Sequence, residues 1–424
     1  MSAGSALRPD LLPVSARIGA DGRLSVGGVD VCALAEEYGT PLFVYDEEHL
    51  RARCREAVAA FGPGVAYASK AFLCKAMARL ASEEGMHLDV ATGGELHVAL
   101  AAGVAPDDLK LHGNDKSLHE LRRARELGVR LVVDSFDELD RVERLHVDDG
   151  IVATVLVRVT PGVEAHTHEY VMTGQVDSKF GFGLSSGDAT RAVARVMASP
   201  ATDLAGLHVH IGSQIFLTRS FEKAVEVVAD FVRPLDVDEL CMGGGLGVAY
   251  VEGETAPSMT DWASVLHDAC RAAGISAHVT AEPGRAIAAA AGLTLYRVGT
   301  VKDLPGVRTY VSVDGGMSDN PRPVLYGSGY EAFLPRATDS ERPRMVTVVG
   351  KHCESGDVVV RDARVPADLA VGDVLCTPVT GAYGHSMASN YNKVPRPAVV
   401  FVAGGTARVV VRRETLDDLL RLDQ

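Results

Sequence analysis

The sequence predicts an α/β fold joined to an all-β one. The first is a (β/α)8 barrel of the TIM type. The second is a β-barrel or β-sandwich domain built from the C-terminal part and an N-terminal segment. Three observations predict this. Eight strand-sized apolar runs each precede helix-like sequence, the alternation that builds a parallel sheet, and eight is the number that closes a barrel. No GxGxxG follows the first run, which weighs against a doubly wound sheet. After residue 305 the texture changes to short Val-rich runs broken by Gly, Pro or Asp, mostly without helical patterns between them.

The barrel strands are read in order. VAYAS (65–69), HLDVA (87–91), LKLHG (109–113) and VRLVVDS (129–135) each lead into an Ala/Leu-rich or charged helical pattern. IVATVLVRVT (151–160) is an unbroken run, as expected of a strand buried on both faces. LAGLHVHIGS (204–213), DELCMGGG (238–245) and SAHVTAEPGR (276–285) complete the set. Later runs such as TYVSVDGG, RMVTVVG and AVVFVAGG belong to the β domain, and the strand-like stretch 22–46 is expected to join it, because chain termini often lie close together. The expected division is 1–48 as the N-terminal segment, 49–307 as the barrel and 308–424 as the C-terminal β domain.

Composition narrows the function. Lys plus Arg is 42 and Asp plus Glu is 56, a net charge of −14, with an aromatic share of 5%. That balance excludes a basic nucleic-acid face and offers little for stacking bases. The seven cysteines are scattered, odd in number and form no CxxC pair. They read as reduced thiols rather than a disulfide framework or zinc site, so a cytoplasmic protein is expected and no metal. No run has signal-peptide or membrane-spanning character, so no membrane partner is expected.

In a barrel of this kind chemistry sits at the C-terminal ends of the strands. Those ends carry Lys70, Asp89, His112, Ser135, Arg158, His210, Gly243 to Gly245 and Glu282. Lys70, directly after apolar residues, suits a partly desolvated Schiff-base amine, or a lysine snorkelling at a strand end. MGGGLG (242–247) could let backbone N–H groups approach a phosphate, with a helix start adding its dipole, or could be a tight turn. Glu282 in EPGR could keep a ring nitrogen protonated, a mark of pyridoxal phosphate sites, while Arg285 could grip a phosphate or carboxylate; a capping turn with a surface ion pair is the plainer reading. His208 and His210 share a strand face. Together they could be a zinc pair with a third ligand elsewhere, or one could stack on a flat ring; His208 reads as a core histidine, and Ser213 could donate to a phosphate. Cys353, among Glu354 and Asp357, suits a proton donor better than a thiolate, or an inert thiol in a turn. Tyr326 and Tyr383 sit in polar-aromatic loops that could meet a ligand.

Taken in order, YASKA, DVATGGEL, HGNDKS, SKFGF, HVHIGSQ, GGGLG, EPGR, RPVLYG, CESGD and GAYGHSMASNYN resemble the diaminopimelate decarboxylase family of fold-type III pyridoxal-phosphate enzymes. The likeness spans roughly residues 40–400. It implies a homodimer with active sites at the interface and pyridoxal 5'-phosphate as cofactor. It also implies Lys70 as the Schiff-base lysine and His210 as the ring-stacking residue. Ser213, Gly244, Gly245 and Tyr383 fall on the phosphate side, and Glu282 becomes the partner of the pyridine nitrogen. Asp89 and the Pro283, Gly284 and Arg285 that follow Glu282 complete the cofactor contacts. Arg285, Arg322 and Tyr326 match substrate-carboxylate contacts, with Tyr383 also on the substrate side. Cys353, as proton donor, and Glu354, as contact for a substrate amine, match residues lent by the other subunit.

The implied reaction is decarboxylation of meso-2,6-diaminopimelate to L-lysine and CO2. Relatives of the same fold act on lysine, ornithine or arginine, whose far ends need only an acid to read them. Diaminopimelate carries both an ammonium and a carboxylate there. Glu354 suits the first and Arg285, Arg322 and Tyr326 the second, while an arginine facing a lysine ammonium is repulsive. The remaining alternatives are a decarboxylase of a related amino acid and a catalytically silent cofactor-binding relative. Two departures from the family pattern stand out: Asp115 where HGNNKS is common, and Lys351-His352 before CESGD where Pro is frequent.

Overall fold

The computed structural model of the chain describes residues 6–163 and 177–424. The chain divides into two compact units. One holds Arg53–Val248 and Ala256–Ala286; the other holds the described residues up to Ala52, Ala249–Thr255 and Ile287–Gln424.

The first unit is the barrel. Its strands, numbered here by their order around it, are Ala66–Ala68, His87–Val90, Leu109–Leu111, Arg130–Val133, Ala153–Thr160, Thr202–Val209, Glu239–Cys241 and His278–Thr280. All pair in parallel with their neighbours in sequence order. Ala66 N donates to Ala281 O (3.0 Å) and Ala68 N to Pro283 O (3.2 Å), which joins the first strand to the eighth. A two-residue strand, Phe182–Gly183, adds to the end of the fifth. The fifth strand is buried at all but one position, so its Val-rich sequence follows from having core on both sides. Helices end where the sequence punctuates them. Ser117 and Glu120 form a capping box, and Gly128, in the left-handed region, closes the same helix. Helix Arg219–Val232 buries Phe221, Ala224, Val225, Val228 and Val232, one stripe at helical spacing.

Inside the barrel, away from the loop ends, Glu239 ties three strands. Its Oε1 accepts from Lys110 Nζ (2.5 Å) and Thr280 Oγ1 (2.6 Å), and its Oε2 from Arg130 Nη1 (2.9 Å). Lys110 is fully buried, and a buried ammonium persists only when paired this closely.

The second unit holds a mixed sheet. Its order is Val358–Val365, Arg344–Val349, Arg308–Val313, Gly292–Leu304, Leu42–Asp46, Ala398–Ala403 and Thr406–Val411, with Val374–Pro378 also on Gly292–Leu304. Leu42–Asp46 lies antiparallel to Gly292–Leu304 and parallel to Ala398–Ala403, so the N-terminal segment is built into this sheet. The stretch 287–307, read from sequence with the barrel, groups instead with the mixed sheet. The reason is its long strand, Gly292–Leu304, which pairs antiparallel with three others. Among the described residues no helix is long and apolar enough to cross a membrane.

Candidate active site

Closure of the barrel brings the two ends of its sequence together. The first strand runs into a single turn, Ser69–Ala71, that carries Lys70, which is exposed. Against this turn lies EPGR. A Cβ on Gly284 would stand 3.0 Å from both Cβ and O of Ala68, so the two segments approach closely enough there that a side chain would force a neighbour to shift.

Glu282 is the centre of the site. Its Oε2 accepts from His208 Nε2 at 2.9 Å and its Oε1 from Cys241 Sγ at 3.1 Å. His112 Nε2 lies 3.3 Å from Oε1 and 3.4 Å from Asp89 Oδ1. The strands position these groups. His208 and Cys241 are direct partners across the sixth and seventh strands, and Asp89 occupies the second strand next to Lys110 on the third. Asp89, His208 and Glu282 are all buried.

Burial pushes Asp89 up to about 6. Burial also works against charge on His112, but the Glu282 and Asp89 carboxylates outweigh it and push that imidazole up to about 9. Burial pushes His208 down to about 4, so at neutral pH it is a neutral donor. For Glu282 burial acts upward, yet the contacts with His208 and His112 hold it well below the usual carboxylate range. The barrel therefore presents an ionised carboxylate between an imidazolium and a neutral imidazole. His112, His208 and Glu282 could each turn one ligand atom toward a cation, all within 4.8 Å of one another; here His208 and His112 face the Glu282 carboxylate.

His210 follows on the sixth strand's end. Burial, followed by the positive charge of Lys70, pushes it well below its ordinary value, which makes Lys70 its electrostatic neighbour. Gly244 N donates to His210 Nδ1 at 3.2 Å. The glycine loop is crowded from two sides. A Cβ on Gly244 would meet Glu282 O at 2.3 Å, and one on Gly245, whose φ is +115°, would meet Gly212 O at 2.3 Å. No helix starts behind this loop. Irregular chain containing Gly253 and Pro257 leads to the next helix, Met259–Ala272, so a helix dipole does not reach it. Ser213 Oγ accepts from Arg285 Nη2 at 3.0 Å. Ser135 caps helix Phe136–Asp149. Arg158 lies 3.9 Å from Asp134 and over the Phe180 ring at 4.3 Å.

The remaining predicted residues belong to the sheet unit. Arg322 opens and Tyr326 closes a short helix, Arg322–Tyr326; Arg322 is buried and Tyr326 half-buried. Asp357 fixes the loop of Cys353 and Glu354, accepting from Met317 N (2.7 Å) and His352 N (2.9 Å). Both Cys353 and Glu354 are exposed. Cys353 N donates to Asn392 Oδ1 (3.1 Å), and Glu354 Oε2 accepts from Tyr391 OH (2.7 Å). Tyr383 has φ +62°, a conformation that costs a bulky residue on the order of 1–3 kcal/mol and that clusters at functional sites.

Sequence reasoning read His208 as a core histidine. It is buried, but it is bonded to Glu282. Cys241 was not singled out at all, although alternation along DELCMGGG places it on the side of Gly243.

The barrel residues fit pyridoxal phosphate. Glu282 is ionised and buried and can serve as the anion a pyridinium needs, Lys70 offers an amine near His210, and the glycine loop leaves space only for backbone. Residues 47–289 match the family described as "Pyridoxal-dependent decarboxylase, pyridoxal binding domain". Diaminopimelate decarboxylase of Mycobacterium tuberculosis is 47% identical over 439 residues, covering 98% of each chain. That of Bacillus subtilis is 46% identical over 423 residues, covering 95% of each. Among solved structures, diaminopimelate decarboxylase from M. jannaschii in complex with L-lysine matches with TM-score 0.90 at 32% identity, covering 97% of this chain and 98% of that one. Fold and site together define a pyridoxal-dependent decarboxylase. Within that class, identity along nearly the full length places the chain in the diaminopimelate decarboxylase family.

Proposed function

We propose that this protein decarboxylates meso-2,6-diaminopimelate to L-lysine and CO2, the last step of lysine biosynthesis. The observation that carries the reaction is the buried, ionised Glu282 beside the Lys70 turn. Pyridoxal phosphate, when bound, supplies the sink for the electrons left on the substrate carbon as CO2 departs. Lys70 would hold the cofactor through its amine. Glu282 would keep a proton on the ring nitrogen, with His208 holding the carboxylate in place. His210 would face the ring. Ser213, Gly244, Gly245 and Tyr383 would receive the phosphate, with Pro283, Gly284 and Arg285 shaping that side and Asp89 supporting the ring side.

Arg285, Arg322 and Tyr326 grip the substrate carboxylate that is kept, and Tyr383 contributes on the same side. Glu354 reads the distal ammonium, and Cys353 returns a proton to the reacting carbon. The working form is then a homodimer in which Cys353 and Glu354 serve the partner's site, and the enzyme acts in the cytoplasm, where its seven free cysteines stay reduced. The domain division that goes with this reading is a cofactor-binding barrel and a β domain that carries the substrate loops. Incubation of the purified protein with pyridoxal phosphate and meso-diaminopimelate tests the proposal: lysine and CO2 in equal amounts support it, and absence of lysine refutes it.

A further inference from the structure

Arg322 poses a physical question of its own. It is only 5% exposed, and among the described residues no carboxylate pairs with it. A buried guanidinium without a carboxylate is costly. Its surroundings are aromatic instead. Arg322 Cζ stands 4.5 Å from the centroid of the Tyr250 ring and 5.8 Å from that of Tyr330. Nη1 donates to Tyr330 OH at 2.9 Å. The two rings meet edge to face, 5.3 Å apart and 81° inclined, and both tyrosines are buried.

Tyr250 is itself pinned. Its N–H donates to Glu254 Oε2 at 2.7 Å. Two residues on, Glu252 N donates to Glu331 Oε1 (3.1 Å), and Glu252 Oε1 accepts from Arg342 Nη2 (2.8 Å), a residue with 2% side-chain exposure. Glu331 follows Tyr330 directly, so one partly buried network, centred on the buried Arg342, holds both sides of the Arg322 cage.

We propose that Tyr250 and Tyr330 are positioning residues that clamp Arg322 and thereby set specificity for a substrate with a distal carboxylate. This rests on the reading of Arg322 as a receiver of that carboxylate. Ring quadrupoles attract the guanidinium without neutralising it, so the cation keeps its demand for an anion. The clamp also stops the side chain from rotating away, so a substrate with a bare ammonium meets an immobile positive charge. A carboxylate in place of the phenols would satisfy Arg322 and abolish both effects.

The experiment is steady-state kinetics on the holoenzyme with meso-diaminopimelate, for Tyr250→Leu, Tyr250→Phe, Tyr330→Phe and Arg322→Gln, with cofactor content and Tm measured alongside. Tyr250→Leu should raise KM about tenfold with kcat within about twofold and cofactor content unchanged. Tyr250→Phe, which keeps the ring, should restore KM to near the parent value. Tyr330→Phe should raise KM roughly threefold, the loss of one hydrogen bond; it also decides the matter alone if the leucine variant does not fold. Parent-like KM in both Tyr250→Leu and Tyr330→Phe, with Arg322→Gln impaired, overturns the clamp and leaves the reading of Arg322 standing. Parent-like KM in Arg322→Gln overturns that reading and the clamp with it. Equal damage from Phe and Leu at 250 also overturns the clamp, because the ring face is then not what matters.

Discussion

His208 Nε2 stands 2.9 Å from Glu282 Oε2, and this contact joins the middle of the barrel wall to its last strand. A neutral histidine here donates to a carboxylate that must stay ionised. Glu282→Gln removes the anion and keeps the shape. We expect cofactor still to bind but kcat to fall by roughly 10²–10⁴-fold, the range for a proton held at the right atom. Cofactor content and turnover measured on the same sample check this; a kcat within tenfold of the parent would count against Glu282 as the ring's partner.

His112 makes the cofactor-free protein pH-sensitive. Its folded value is pushed up to about 9, against about 6.5 in the unfolded chain. The folded state therefore holds a proton that the unfolded state has lost between those values. The stabilisation from His112 is full below pH 6.5 and disappears as pH rises through 9. His208 and Asp89 act below pH 6.5 with opposite signs, so they do not mask it. Urea unfolding of the cofactor-free protein from pH 6.5 to 9 should show falling stability, and His112→Gln should flatten that slope. An unchanged slope in the variant would refute the assignment.

Lys70→Ala should abolish the absorbance of lysine-bound cofactor and nearly all turnover. The geometry that motivates it is the contact of Gly284 with the strand end just before Lys70. Difference spectra with added pyridoxal phosphate provide the check, and full retained activity would remove Lys70 from the mechanism.

Glu354 depends on its neighbours for placement. His352 packs its ring 5.4 Å from that of Tyr391, whose hydroxyl holds Glu354 at 2.7 Å. His352 also meets Ser318 Oγ at 2.9 Å. Glu354→Ala should raise KM with cofactor still bound, and His352→Pro should raise it by a smaller factor, roughly two- to tenfold, the worth of a hydrogen bond. Unchanged KM in the alanine variant would remove Glu354 from substrate contact.

Legibility in the sequence followed the range of the interactions. The eight barrel strands were readable because each is a local apolar run, and Lys70 and Glu282 because they close such runs. What was hidden depends on distant pairing. Gly292–Leu304 looks like a continuation of the barrel until its antiparallel partners at 42–46 and 374–378 are known. The role of His208 needs Glu282, 74 positions away, and the setting of Arg322 needs Tyr250 from a different stretch of chain. The helix dipole at the glycine loop was a local inference that failed because Gly253 and Pro257 lie where a helix would have to run.

The most direct test of the account is a substrate panel with the purified protein and pyridoxal phosphate, following CO2 release separately from meso-diaminopimelate, L-lysine, L-ornithine and L-arginine. Release from diaminopimelate alone, with lysine as product, is the predicted result. Release from lysine or ornithine at a comparable rate would contradict it, because the Arg322 cation could not then be reading a distal carboxylate.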